Sequence, residues 1–333
     1  MRICVIPGDG IGPEVIGAAV GVLRALAPDA LITEAEAGWG AFERHGVALP
    51  AATLAAARAA DAILFGAVAS PSHAVPGYRS PIVQLRRELD LYANIRPVSG
   101  TGLGKPVDLV IVRENTEDLY LGRERLEDDG ATAIAERVIT RQASARIARA
   151  AFDLARRRAA DTGRSPRVTV AHKANVLRVS DGLFRETVLA AARAYPEVVV
   201  EEMLVDVAAM RLAQTPERFD VLVTTNMFGD ILSDVACIHG GGLGLAASAN
   251  LGDAQALFEP VHGAAPDIAG QGTANPLAAI TCVAMLLEWR GLSLPAARLR
   301  AAIAGVLRDG PHTPDLGGTA KTSDVAESVL ARL

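Results

Sequence analysis

Aromatic residues are scarce in this chain, at 4% of 333 residues. A surface that binds single-stranded nucleic acid by stacking bases draws on more aromatic side chains than that. Positive charge is also short. The 33 Lys and Arg residues against 38 Asp and Glu leave a formal net charge of −5, which argues against a nucleic-acid partner. No run of about 18 apolar residues occurs, so no membrane-spanning helix and no membrane partner is expected. The opening MRICVIPGDG has one arginine and a very short apolar stretch, and it lacks the h-region of a signal peptide. Only three cysteines are present, Cys4, Cys237 and Cys282, far apart and among apolar neighbours. They give no metal or redox spacing and read as small buried residues of a protein in a reducing cytoplasm. A dinucleotide fingerprint is missing too. Gly8 and Gly10 follow a short apolar strand at 3–6, but the sixth position is Pro13, and Gly12 comes one place early. That excludes the ordinary G-x-G-x-x-G reading.

What is present is a large hydrophobic fraction, 50% of the chain, enough for two domains or one large α/β unit. Apolar runs and helical periods alternate: strand 3–6, helix 14–26, strand 30–36, helix 53–58, strand 61–67. That order predicts parallel strands with helices on their faces. A Pro/Ser/Gly-rich loop at 69–80 leads into a helix with Pro81 in its first turn and Ser80 as N-cap. Further strands are expected at 108–112, 135–140, 167–171 and 198–202, and further helices at 144–160, 276–288, 295–307 and 323–333. Residues 126–132 read as a polar insertion, and no internal repeat or disordered linker is seen.

Several residues stand out by type and place. In FDVLVTTNMFGDILSD, residues 219–234, an apolar strand is broken by Asn226 and Gly229, and a helical piece then puts Asp230 and Asp234 one turn apart on one face. Two such carboxylates fit a hard divalent cation, or they form a solvated helix face. Arg86, Arg96 and Arg113 sit beside turns or element ends, where open α/β sheets place ligands. Lys173 follows a strand among apolar residues, a setting in which a lysine loses solvent and becomes a usable base. Asp206 lies in the apolar segment VDVAAM, where an acid is costly unless it is paired or metal-bound.

Taken together and in order, GDGIGPE, LRRELDLYANIRP, VRENTEDLY, HKANVL, TTNMFGDILSD, EPVHGAAPDIAG and ANP resemble the β-decarboxylating dehydrogenases of the isocitrate/isopropylmalate dehydrogenase family, over nearly the whole chain. The resemblance implies an α/β fold of that family, not a Rossmann fold, with two α/β domains sharing a large mixed sheet. It places a nucleotide-binding domain at 1–98 plus 250–333, and a domain with metal ligands and a dimer interface at 99–249. It implies that Arg86, Arg96 and Arg113 hold substrate carboxylates, as a guanidinium fork suits. Asp206, Asp230 and Asp234 would bind Mg²⁺ or Mn²⁺. Tyr120 and Lys173 would be the acid–base pair, and Asn175 would contact substrate or nicotinamide. Lys173 and Asp206 would reach in from a partner subunit, so a homodimer or tetramer with shared active sites is implied. His262, Gly263, Ala265, Asp267, Ile268 and Asn275 would hold the adenosine half of the cofactor. A carboxylate at Asp267 accepts hydrogen bonds from ribose hydroxyls and repels a 2′-phosphate, which points to NAD.

The implied reaction takes a small 3-carboxy-2-hydroxy acid. Lys173 helps remove the hydroxyl proton, CO₂ leaves, and Tyr120 supplies the proton to C3. Substrate choice rests on the segment before Arg86, where Ser80, Ile82 and Val83 most resemble homoisocitrate dehydrogenases of the α-aminoadipate route to lysine. Ser80 would bond a distal carboxylate, and Ile82 and Val83 would pack the extra methylene. Isocitrate, 3-isopropylmalate and tartrate or malate are the alternatives. A non-catalytic regulatory subunit is disfavoured because every catalytic group is present, and a metal-independent 2-hydroxy acid dehydrogenase because the fingerprint is broken. The chain departs from the family pattern at Asp118, commonly glycine, at Val207, and at Ala247 and Ala249.

Overall fold

The computed structural model describes residues 1–73, 75–100 and 104–333. Position 74, in the loop expected at 69–80, lies outside the described residues. The chain forms two compact units, Met1–Leu89 with Gly241–Leu333, and Asp90–Gly240. The first opens with β1 (Arg2–Gly8), α1 (Gly12–Leu26), β2 (Leu31–Glu34), α2 (Trp39–His45), α3 (Ala51–Ala59), β3 (Ala62–Ala67) and α4 (Pro81–Glu88). The second holds β4 (Ala93–Gly100), β5 (Val107–Glu114), β6 (Glu124–Glu127), β7 (Thr132–Ala135), α5 (Arg141–Thr162), β8 (Arg167–His172), α6 (Ser180–Ala192), β9 (Val199–Leu204), α7 (Val205–Gln214), β10 (Val221–Thr224) and α8 (Asn226–Cys237). The first unit closes with β11 (Ala247–Leu251), β12 (Ala256–Pro260), α9 (Leu277–Trp289), α10 (Ser293–Asp309) and α11 (Thr322–Leu330). The crossings between units fall at 89–90 and 240–241, not at the expected 98–99 and 249–250. Pairing explains the shift: β4 is antiparallel to β5 over its full length, and β11 to β12.

In the first unit the strand order is β2-β1-β3-β12-β11. The first four strands are parallel, and β11 is antiparallel at the end. α9 is apolar and buried nearly all round, as expected of a helix enclosed by its neighbours. The GDG turn is a structural device. A Cβ on Gly8 would stand 1.9 Å from the Ala67 carbonyl oxygen, and one on Gly10 would stand 2.0 Å from that of Ala264. Between them, Asp9 accepts the backbone N–H groups of Trp39, Gly40 and Ala69 at 2.7–2.9 Å, tying three loops together.

In the second unit the order is β4-β5-β10-β8-β9, with β5, β10, β8 and β9 parallel. Their carboxyl ends therefore share one edge. α5 buries Ala143, Ile147, Ala148, Ala151, Phe152 and Ala155, one stripe at helical spacing, and Thr140 caps it by accepting from the Ala143 N–H at 3.1 Å. β6 and β7 form a separate two-stranded antiparallel arm, exposed along its length.

Several expectations are corrected. The strand expected at 135–140 does not form: residues 136–140 are irregular, and only Ala135 belongs to β7. The insertion at 126–132 is the tip of the β6–β7 arm. Ser80 stands at the N-cap position of α4 but makes no side-chain cap bond. The helix that carries the aspartates does not begin after Gly229: β10 ends at Thr224, and α8 starts at Asn226 and contains Gly229. α2 and α6, which lack a clear apolar period, were not anticipated. The three cysteines are buried free thiols.

Gly229 is where α8 comes closest to β5. A Cβ there would lie 2.6 Å from Cβ and Cγ of Arg113. Gly229→Ala should therefore lower stability by about 1–3 kcal/mol through overpacking. Urea denaturation measures this, and an unchanged midpoint would show that the helix–strand approach is less tight than described.

Candidate active site

The parallel strand ends of the second unit deliver the ionisable groups. Arg113 is the penultimate residue of β5, aligned with Thr224 of β10, and Lys173 follows β8. Arg96 comes from β4. These strands are filled by Val, Leu and Ile on both faces, so polar side chains gather where the strands end.

Asp230, one turn into α8, is the centre of the cluster. It accepts from the Arg113 guanidinium, from Arg96 Nη2 at 3.2 Å and from the Tyr120 hydroxyl at 2.5 Å. Arg113 is 1% exposed and also donates to the Asn226 side chain at 2.9 Å. Arg96 donates to Asn94 and to the Ser233 hydroxyl, at 2.7 and 2.6 Å. The Arg113 guanidinium lies 4.9 Å from the centre of the Tyr120 ring. Burial, opposed by Arg113 and helped by the Asp230 charge, pushes the Tyr120 phenol above its ordinary pKa, so it holds its proton at neutral pH. Asp234 lies on the same helix face, 3.9 Å from Arg96. Its carboxyl is raised by burial and by the like charge of Asp230.

Lys173 and Asp206 form a separate pair, Nζ to Oδ1 at 2.6 Å. The argument that placed Asp206 in an apolar interior is corrected: its side chain is 61% exposed, in the first turn of α7. The Lys173 hydrogen bond holds its carboxyl below the usual range. Asn175 is exposed in the turn after Lys173. Among the described residues, no group of three His, Cys, Asp or Glu side chains could hold a metal ion. Asp230 and Asp234 fit a hard divalent cation as carboxylate oxygens that repel each other, with further ligands still needed from outside this set.

In the first unit, Arg86 is buried on α4 and paired with Glu259 at 2.8 Å, and its Nε is buried without a partner. Asn250 donates to the same Glu259 oxygen at 2.8 Å. Val83, on the same helix, is half-buried. The loop after β12 carries His262, whose Nε2 is also buried without a partner and whose pKa is lowered by burial. Gly263 is exposed, and Ala265 takes a positive φ of 40° and accepts from the Ile268 N–H at 3.2 Å. Asp267 is exposed. Asn275 donates to Asp315 and accepts from the Leu277 N–H, both at 3.0 Å. This loop thus offers one unpartnered imidazole nitrogen at His262 and, five residues on, an exposed carboxylate at Asp267. Asp315, Glu259 and Ser233 did not stand out in the sequence, because each acts through a neighbour distant along the chain.

The isocitrate/isopropylmalate dehydrogenase family model matches residues 2–329. The chain belongs to this family. It is 50% identical to homoisocitrate dehydrogenase of Methanocaldococcus jannaschii, over 99% of this chain and 97% of that one. It is 48% identical to 3-isopropylmalate dehydrogenase of Archaeoglobus fulgidus, over 100% and 98%. The crystal structure of isocitrate dehydrogenase from Methylococcus capsulatus superposes with a TM-score of 0.94 at 44% identity, covering 99% of this chain and 98% of that one. The fold is thus α/β of the isocitrate dehydrogenase type. The family's members are β-decarboxylating dehydrogenases of small molecules, dependent in general on NAD(P) and a divalent metal, and typically oligomeric.

Asp230→Asn keeps an acceptor oxygen and removes the charge. Cooperative thermal unfolding should persist while metal-dependent turnover falls by about 100-fold or more. Turnover close to wild type would place the cation elsewhere.

Proposed function

We propose that this chain catalyses the NAD-dependent, divalent-metal-dependent oxidative decarboxylation of homoisocitrate to 2-oxoadipate and CO₂, serving lysine formation through α-aminoadipate. The observation that carries the reaction class is the Asp230 cluster. It joins two buried guanidinium groups, a protonated phenol and a carboxylate pair in a chain of this family.

Arg86, Arg96 and Arg113 hold the substrate carboxylates by bidentate forks. Lys173, acting as its neutral amine, helps remove the hydroxyl proton. Tyr120, whose phenol stays protonated, donates to C3 once CO₂ has left. Asp230 and Asp234, with Asp206 contributed by a second copy of the chain, would hold Mg²⁺ or Mn²⁺, which would supply Lewis-acid stabilisation of the negative charge that follows decarboxylation. His262, Gly263, Ala265, Asp267, Ile268 and Asn275 would hold the adenosine half of NAD and Asn175 would contact substrate or nicotinamide; NAD would supply the hydride acceptor.

Two features support homoisocitrate. The Ser80 hydroxyl is not used to cap α4, which leaves it for a distal carboxylate. Ile82 and Val83 on the same helix are apolar and half-buried, and suit a methylene. The same apolar pair favours 3-isopropylmalate as the second reading, in line with the Archaeoglobus relative. The shared-site dimer is supported by apolar side chains on α7 and α8. Val207 and Met210, with Met227 and Ile231, stay exposed on two helices that touch each other. Lys173 and Asp206 would then serve the partner's cluster.

A panel of homoisocitrate, isocitrate, 3-isopropylmalate and tartrate, each with NAD and with NADP, tests this reading. The highest kcat/KM is expected with homoisocitrate and NAD; one methylene discriminates by about tenfold or somewhat more. A preference of about tenfold for 3-isopropylmalate or tartrate contradicts the substrate assignment. Equal or better kcat/KM with NADP contradicts the cofactor assignment.

A further inference from the structure

Tyr120 and Lys173 both stand on short, irregular backbone. Tyr120 lies in the 3₁₀ turn Asp118–Leu121, and Lys173 in the turn after β8. These segments and the start of α8 meet at one guanidinium, that of Arg137, whose side chain is only 13% exposed. Its Nε donates to Asp118 at 2.6 Å, its Nη1 to Asp181, and its Nη2 to the Thr225 hydroxyl at 2.8 Å. Both carboxylates are fully buried.

Each acid has a second task. Asp118 takes a φ of 72°, a left-handed backbone that L side chains rarely adopt, which accounts for the glycine common at this position in the family. Its carboxylate accepts the N–H of Leu119 at 2.9 Å and that of Met227 at 3.1 Å. Met227 is in the first turn of α8. Thr225, the N-cap, makes no cap bond of its own, so Asp118 satisfies that helix end and complements its dipole. The other oxygen of Asp181 accepts the backbone N–H of Lys173 at 2.5 Å. One cation thus fixes the turn leading to Tyr120, the turn carrying Lys173, and the first turn of the helix carrying Asp230 and Asp234.

We propose that Arg137 is a positioning residue for the decarboxylation chemistry, holding Tyr120 against Asp230 through Asp118, and holding through Asp181 the turn that presents Lys173 to the partner's cluster. This rests on the acid–base roles given above to Tyr120 and Lys173. A lysine at 137 would keep the charge, but a point charge cannot fork across two carboxylates and a hydroxyl. Arg137→Lys in the full chain should melt cooperatively and lose about tenfold in kcat, with KM values for substrate and NAD within about twofold of wild type. In a Tyr120→Phe background the same substitution should cost less than about threefold, the share carried through Lys173, because the other positioned group is gone. A folded Arg137→Lys protein with unchanged kcat overturns the proposal, as does a loss that multiplies in full with Tyr120→Phe. If Arg137→Lys does not fold, Asp118→Asn replaces it, since asparagine tolerates left-handed backbone, and the same two outcomes decide. Tyr120→Phe with wild-type kcat removes the acid–base reading, and this proposal with it, without any change at Arg137.

Discussion

Two guanidinium groups, both almost out of solvent, meet at the carboxylate of Asp230. Placed side by side without an anion, Arg96 and Arg113 would repel each other at low dielectric. Asp230 balances them, and because its side chain is 39% exposed it also reaches an open edge. The same carboxylate orders the Tyr120 hydroxyl. The cluster is therefore electrostatically set by its own groups: two cations on one carboxylate, a phenol that keeps its proton, and a second carboxylate, Asp234, whose repulsion from Asp230 a divalent ion would relieve.

The fold supplies this arrangement through strand direction. β5, β10 and β8 run parallel, so Arg113, Asn226 and Lys173 emerge at one edge although they lie far apart in sequence. Gly229 lets α8 lie against Arg113, and Asp118 satisfies the same helix end. In the first unit the GDG turn does comparable work for backbone alone. Its glycines permit contact with carbonyl groups, and Asp9 gathers three loops. The motif that resembles a broken nucleotide fingerprint is a packing solution at the start of α1.

Much of this was legible. Apolar runs of Val, Ile and Leu marked the buried parallel strands, and the long stripe of α5 marked its helix. The ordered motifs carried the family. What escaped has physical reasons. The β6–β7 arm is exposed on both faces, so no alternation betrays it. Gly229 reads as a breaker in one dimension and as a close approach in three. The valines beside Asp206 suggested burial, but only Val205 packs on the core, while Asp206 and Val207 lie on the exposed side of α7. The Arg137 network joins positions 118, 137, 181 and 225. A sequence shows four unrelated polar residues there, because only the folded sheet brings them together.

The oxidative decarboxylation proposed above needs a divalent ion at the Asp230–Asp234 pair. The most direct test follows NADH and CO₂ together in one reaction of the purified chain with homoisocitrate and NAD, before and after chelation by EDTA. Equal amounts of both products are expected, with loss of both with EDTA and return of both on adding Mg²⁺ or Mn²⁺. NADH formed without CO₂, or turnover indifferent to EDTA, would contradict it.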